Sequence, residues 1–371
     1  MILRHLVALL ALSTGGHAGA QAQVEQAKPE APAVSNSYQG NWDSRSLNYD
    51  SGFLLNTTIT TPANANAWGL YFQNERNAAL STNNGTLSTN DKARLQGIAD
   101  DMEEAVPGSF EAEMATYYLE FPKPAGYAAL DRATAKEPAR TELCGPKLAQ
   151  AVVNDDAEGI RTWSLALKDR GGLAPPLLDV AADVLASVDR DAVLLANGEM
   201  DTYPLWVEQY ALSLRPDVLV VHQAALPDDS YRALVWRKAR AEGSVPGPEV
   251  ADFVKALATR SPRPVYLAPS CDRQLLNTLR KDLYLTGLAM RYSTTRVDNL
   301  PKLKAVWPTL RKNAQAGPLS RNYVLPAITL RDHYLAIGDE KNYALMDAEL
   351  LQLARSTGTV NRLYELGVLK H

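Results

Sequence analysis

The sequence predicts an α/β protein: a small, Rossmann-like parallel sheet flanked by tetratricopeptide-like helical hairpins. The runs "AVLLAN" (192–197), "DVLVVH" (217–222) and "PVYLA" (264–268) are apolar without alternation, as expected of strands buried on both faces. Helical stretches separate them, and strand–helix–strand order implies a parallel sheet with right-handed crossovers. On either side of this core, helices fall into pairs joined by Pro- or Gly-marked turns.

In chain order, Arg4 and His5 precede the apolar run "LVALLAL" (6–12) and a small-residue stretch ending in Ala20-Gln21-Ala22. This is the pattern of a signal peptide over 1–22, with a mature start at Gln23 and delivery across the inner membrane, most simply to the periplasm. The run is shorter than the roughly 20 residues a spanning helix needs, and no later stretch is longer and apolar, so no transmembrane segment is expected. Residues 23–36, rich in Ala, Pro, Glu and Gln, read as a disordered leader. Residues 37–90 are rich in Asn, Thr, Ser and aromatics with poor helical periodicity. They are expected to form an irregular wrap with short helices, anchored by Trp42, Tyr49, Phe53, Trp68, Tyr71 and Phe72. A carbohydrate-stacking strip is the alternative use of those rings.

Residues 91–190 are expected to be helical and tetratricopeptide-like. Asp91 stands where a cap for the helix over 92–106 belongs. In the pair over 109–138, Phe110, Met114, Tyr117, Gly126, Leu130, Ala133 and Pro138 fall at tetratricopeptide packing positions. A second pair turns at Asn154-Asp155-Asp156 and matches that pattern weakly. Residues 191–296 hold the α/β unit, with helices expected over 203–214, 230–243, 248–260 and 273–285. Residues 297–371 are helical again, with a tetratricopeptide-like pair turned at Gly338-Asp339 and a short closing helix over 359–369.

Composition narrows the function classes. A net charge of −4 over 371 residues argues against a nucleic-acid partner, which calls for a basic face. Cys144 and Cys271 lie far apart, and a bridge and two separate buried thiols are about equally expected. His222, His333 and His371 are isolated, so no metal site is expected. No G-x-G-x-x-G, Walker or G-x-S-x-G motif occurs, so no cofactor is implied.

In an open parallel sheet, ligands collect beyond the carboxyl ends of the strands. Those ends read "NGEMDT", "HQAALPDD" and "APSCD", which brings Asn197, Glu199, Asp201, Thr202, His222 and Asp272 to one rim, with Asp228 or Asp229 beside them. Carboxylates near a histidine can do acid–base work, hold a divalent cation or bind sugar hydroxyls. The plainer reading is a polar turn in which Asp201-Thr202 caps a helix starting near Tyr203, with Pro204 in its first turn.

The stretch "VLLANGEMDTYPLWVEQYALSLRPDVLVVHQAAL" (193–226) resembles a segment of the protein O-mannosyltransferase-like membrane proteins of bacteria. There a strand leads into an N-G-D-x-D-T-[FY]-P-L-W-like run, a helix, R-x-D-V and a second strand. "RPVYLAPSCD" with "LYLTGLAMRYS", and the helix pair over 319–355, look like the segments that follow, so the likeness covers roughly 190–355. The resemblance implies a soluble extracytoplasmic portion and glycan or envelope biology, with transfer chemistry residing in a membrane part. Glu199 stands where that pattern has Asp. The expected function is therefore a binding or scaffold module of the cell envelope, engaging a protein partner or a glycan-related ligand. The alternative is a glycan-acting enzyme using Glu199 and Asp201.

Overall fold

A computed structural model of the protein describes residues 51–82 and 87–369. The expected signal segment 1–22, the leader 23–36 and residues 37–50 of the wrap, with Trp42 and Tyr49, lie outside them. The described chain is mostly helical, with helical hairpins and a small mixed sheet.

Residues 51–82, expected to be irregular with short helices, form α1 (Ser51–Thr60) and the longer α2 (Ala65–Thr82). In α1 the threonines turn their hydroxyls back on the helix: Thr57 donates to the Phe53 carbonyl and Thr60 to that of Asn56, each at 2.9 Å. Side chains that compete for backbone bonds in other conformations here join the helical ladder. Trp68 and Phe72 are buried, as anchoring aromatics should be, whereas Phe53 is exposed.

α3 (Thr89–Ala105) is capped by Ser88, and Asp91 completes a capping box from inside the first turn instead of capping the helix itself. α4 (Phe110–Glu120) and α5 (Pro124–Lys136) form the expected hairpin. A Cβ on Gly126 would lie 3.0 Å from the Phe121 nitrogen and 3.1 Å from the Glu120 carbonyl carbon, so glycine permits the close approach. Phe110, Met114, Tyr117, Leu130 and Ala133 are buried in one cluster with Trp68 and Phe72. The next hairpin is α6 (Cys144–Val153) and α7 (Ala157–Arg170), turned by Asp155 at φ 56° and capped by Asp156.

After α8 (Pro175–Ala186) come β1 (Val193–Ala196), α9 (Glu199–Tyr210), β2 (Leu219–His222), α10 (Asp229–Lys238), α11 (Val250–Arg260) and β3 (Val265–Leu267). β1 is the middle strand and runs parallel to both neighbours, with Val193 opposite Leu219 and Val265. Val193, Leu195, Val221 and Leu267 pack into one core with α10 and α11. Leu194, Ala196, Val220 and Tyr266 pack into another with α6 to α9. Both faces are dry, which is why these strands read as unbroken apolar runs.

The sheet is not purely parallel. α12 (Arg273–Leu279) is followed by β4 (Leu283–Leu285) and β5 (Met290–Tyr292), and β5 runs antiparallel to β3 and β4, giving the order β2-β1-β3-β5-β4. The sequence reading carried a helix through 285. Strands of three residues are too short to show a period of their own. Their turn is pinned on Ser187, whose Oγ accepts from the Leu288 N–H at 2.8 Å and whose carbonyl accepts from Thr286 at 2.9 Å.

Two arginines close the amino ends of the parallel strands. Arg263 donates to the carbonyls of Asp191, Lys238, Ala192 and Asp217 at 2.6–3.1 Å. Arg215 reaches those of Leu185 and Asp189 at 2.7 Å. The remaining helices are α13 (Leu300–Val306), α14 (Val324–Ala336), α15 (Glu340–Ser356) and α16 (Val360–Glu365). Cys144 and Cys271 are separate buried thiols. No helix among the described residues is long and apolar enough to cross a membrane.

Buried Asp183 on α8 ties the C-terminal helices to the sheet layer. It accepts from the Arg311 and Lys312 N–H groups at 3.0 and 3.1 Å and from the Tyr323 hydroxyl at 2.7 Å. Asp183→Ala strands those donors away from water, so it should cost about 2–4 kcal/mol in urea unfolding. A loss below about 1 kcal/mol would mean that this tie is not a structural one.

Candidate functional site: the crevice beyond the strand ends

The carboxyl ends of β1, β2 and β3 do converge. The Asn197 N–H, just past β1, donates to the Ser270 hydroxyl at 3.3 Å, just past β3. The Cys271 thiol donates to the Leu195 carbonyl at 3.4 Å. The Asp272 N–H donates to the Gln223 side-chain carbonyl at 3.0 Å, just past β2.

Gly198 sets the geometry. At φ 79° it turns β1 directly into α9, so the helix starts at Glu199, earlier than the Tyr203 start the sequence suggests. Asp201 therefore lies inside the first turn and is not the cap, and Pro204 falls within the helix. Glu199, Thr202, Tyr203 and Trp206 then share one helical face at i, i+3, i+4 and i+7.

Glu199 points to the helical layer, where Arg76 of α2 donates to it at 2.5 Å. The same guanidinium lies 4.0 Å from the centre of the Tyr118 ring. Asp201 is 4% exposed and accepts from the Ser270 hydroxyl. Burial pushes its carboxyl up to about 6, with the Ser270 bond opposing only part of that rise. His222, also 4% exposed, sits among aromatic rings, its centroid 5.6 Å from Phe121, 5.8 Å from Trp206 and 6.4 Å from Tyr203. Burial pulls its imidazole down to about 4.

The outer carboxylates of the rim have ordinary jobs. Asp272 caps α12, accepting from the Gln274 and Leu275 N–H groups at 2.8 and 3.0 Å. Asp228 caps α10 by accepting from Tyr231 N–H at 2.8 Å. Burial raises the Cys271 thiol well above its usual range, so it is a poor nucleophile at neutral pH. Among the described residues, no group of three or more His, Cys, Asp or Glu side chains could hold a metal ion.

Several buried polar atoms in this crevice find no hydrogen-bond partner among the described residues. They are Asn197 Nδ2, Thr202 Oγ1, Trp206 Nε1 and His222 Nδ1. Buried polar groups are nearly always paired, so these four atoms stand out among the side chains at the strand exits.

Residues 177–251 match the family model described as TMEM260-associated domain 2. The TMEM260-associated domain 2 family relates to glycosyltransferase-like membrane proteins. The match covers about a fifth of the chain and runs from α8 to the start of α11. It thus contains Asn197, Glu199, Asp201, Thr202 and His222, while Arg76, Phe121 and Ser270 come from outside it. No curated protein and no solved structure matches the chain.

Sequence reasoning overlooked Arg76, Phe121 and Ser270. Ser270 was within reach of it, standing in "APSCD" just after a strand. Nothing local marks Arg76, which meets Glu199 across 123 positions.

The burial that shifts Asp201 and His222 has opposite consequences for stability. Asp201 binds its proton more tightly when folded, so its contribution is full below about pH 4 and lost as pH rises to about 6. His222 resists protonation when folded, so its penalty is full below about pH 4 and gone above about pH 6.5. Each is worth about 3 kcal/mol, and the two offset each other. Relative to the parent chain, Asp201→Asn should therefore gain stability as pH rises from 4 to 6, and His222→Phe should lose it over the same window. Urea midpoints measured across that range test this, and parallel profiles for the parent and both variants would contradict it.

Proposed function

We propose that this protein is an exported binding module of the cell envelope that holds a glycan-related ligand in the crevice beyond the strand ends. One observation carries the reading: the unpartnered buried atoms of Asn197, Thr202, Trp206 and His222 lie on adjoining elements under an aromatic frame. Polar groups beside aromatic rings are the usual furniture of a small-ligand site. We read the parallel half of the sheet as Rossmann-like and the flanking hairpins as tetratricopeptide-like, with a protein partner along those hairpins as the other expected contact. The match to TMEM260-associated domain 2 and the resemblance of 193–226 to a glycan-transferring family support the glycan side of this reading.

The enzyme alternative has one observation in its favour, the carboxyl of Asp201 held near 6, within the range of a general acid. Against it, Glu199 is committed to Arg76 and Asp201 accepts from Ser270, so neither carboxylate stands ready for a substrate. The binding reading therefore takes precedence.

The test is an array of glycans released from bacterial envelopes, probed with the full chain and with Asn197→Ala/Thr202→Val. The parent should be retained by at least one glycan class, and the folded double variant should bind about ten-fold more weakly, the worth of about 1.4 kcal/mol. Equal retention removes the crevice from consideration, and no retention of the parent removes the glycan.

A further inference from the structure

The helical layer holds a cavity of its own, away from the strand exits. It measures about 50 Å³ and lies between α2 and α4, with the turn after α5 along its edge. Leu70, Phe72, Phe110 and Met114 line one part of it, and Glu111, Arg140 and Glu142 line another. Gly69 on α2 gives Glu111 its place: a Cβ there would lie 2.6 Å from the Glu111 Cγ, so a larger residue would displace that side chain. Glycine inside a helix is unfavourable, and here it lets a carboxylate lie against α2. The Glu111 side chain is only 9% exposed. Its Oε1 accepts from Arg140 at 3.2 Å, and its Oε2 takes no hydrogen bond among the described residues.

The charges at this edge do not balance. Glu111, Glu137 and Glu142 each pair with Arg140, and none of the three has another cationic partner among the described residues. Three carboxylates against one guanidinium leave an excess of negative charge, and a half-buried carboxylate gains from a further cation. An anion is repelled there. Among the described residues no group of three or more His, Cys, Asp or Glu side chains could hold a metal ion, which leaves an organic cation. Arg140 shows the chemistry the place favours: its guanidinium lies 4.2 Å from the centre of the Phe110 ring while it bonds the carboxylates. The apolar wall suits an aliphatic stem, since long basic side chains lay their methylenes on apolar surface and carry the charge at the tip. A cavity of about 150 Å³ holds one benzene, so this smaller one admits the end of a side chain and not a whole metabolite.

We propose that this cavity receives a lysine or arginine side chain of a protein partner, with its stem against Leu70, Phe72 and Met114 and its charged end at Glu111. This rests on the expected protein contact along the hairpins and gives that contact its chemistry; it is independent of the crevice beyond the strand ends. A partner seated here lies on α2 and α4, the layer that Arg76 and Phe121 join to the sheet.

The probes are the N-acetyl methylamides of lysine and arginine, with those of norleucine and glutamate as neutral and anionic comparators. The readout is the methyl resonance of Met114 in the full chain, isotope-labelled at its methionine methyls and assigned by the loss of that signal in Met114→Leu. The expected result is a saturating shift with at least one basic derivative, and binding at least ten-fold weaker for both comparators. Glu111→Gln should weaken the basic derivative about ten-fold, and so should Leu70→Trp, which fills the cavity and leaves the Arg140 ion pairs in place. Shifts from the norleucine or glutamate derivative alone would overturn the cationic class and leave a partner contact here standing. No shift from any derivative would overturn both. Undiminished binding in Leu70→Trp would also overturn the proposal, even where Glu111→Gln fails to fold, because the basic derivative would then be bound elsewhere.

Discussion

Closure of both faces of the parallel strands is the constraint on which the rest of this structure depends. β1, the middle strand, alternates side chains between two separate cores, and every one of them is buried. Its main-chain groups are paired sideways with β2 and β3. A strand in that position has no place for a polar side chain along its length, so polarity is forced to its ends. The two ends are treated differently. At the amino ends, Arg263 and Arg215 collect backbone carbonyls. At the carboxyl ends, side chains of mixed donor and acceptor character remain, several with no partner among the described residues. One end of the sheet is tied up by arginines, and the other carries buried polar side chains.

The same closure governs the charges in the crevice. Desolvation disfavours whichever form is charged, so it raises an acid and lowers a base. Asp201 and His222 respond in those opposite directions under one cause. In mildly acidic conditions both are then neutral, and the Arg76–Glu199 ion pair lies beside them at the start of α9. That pair joins the helical layer to the sheet layer, with the guanidinium also lying over Tyr118. Phe121 makes a second crossing of the same boundary where its ring meets His222. Arg76 of α2 and Phe121, just past α4, thus fasten the helical layer to the strand exits.

What the sequence made legible follows the physics of each signal. Buried strands were readable because a short, unbroken run of Val and Leu between turn residues is what closure of both faces demands. Gly126 was readable because a repeat position called for a small residue. The convergence of the strand exits followed from parallel order. β4 and β5 were not readable, since three residues carry no period and they sit just after a helix. The length of α2 was not readable because Asn and Thr lower helix propensity, a weak term that burial of Trp68 and Phe72 overrides. Asp272 and Asp201 look alike in sequence, each an acid after a strand, yet one caps a helix and the other is buried against Ser270. The difference lies in Gly198, whose positive φ starts α9 early enough to carry Asp201 inward. Burial of a side chain by a one-turn shift in helix start leaves no trace in local composition.

The identity of residue 199 shows how the parts of the crevice depend on one another. The matched family segment contains Glu199 but ends well short of Ser270 and begins well after Arg76. A residue in the first turn of a helix, with its carboxylate turned away from the sheet, needs reach to meet a partner on another layer. Glutamate has one more methylene than aspartate, and here its carboxylate meets a guanidinium on α2. Pairing Glu199 outward leaves Asp201 as the carboxylate that faces Ser270 and the strand exits. Two acids with one residue between them thereby take separate roles: one pairs with the helical layer, and the other is buried against Ser270 at the strand exits.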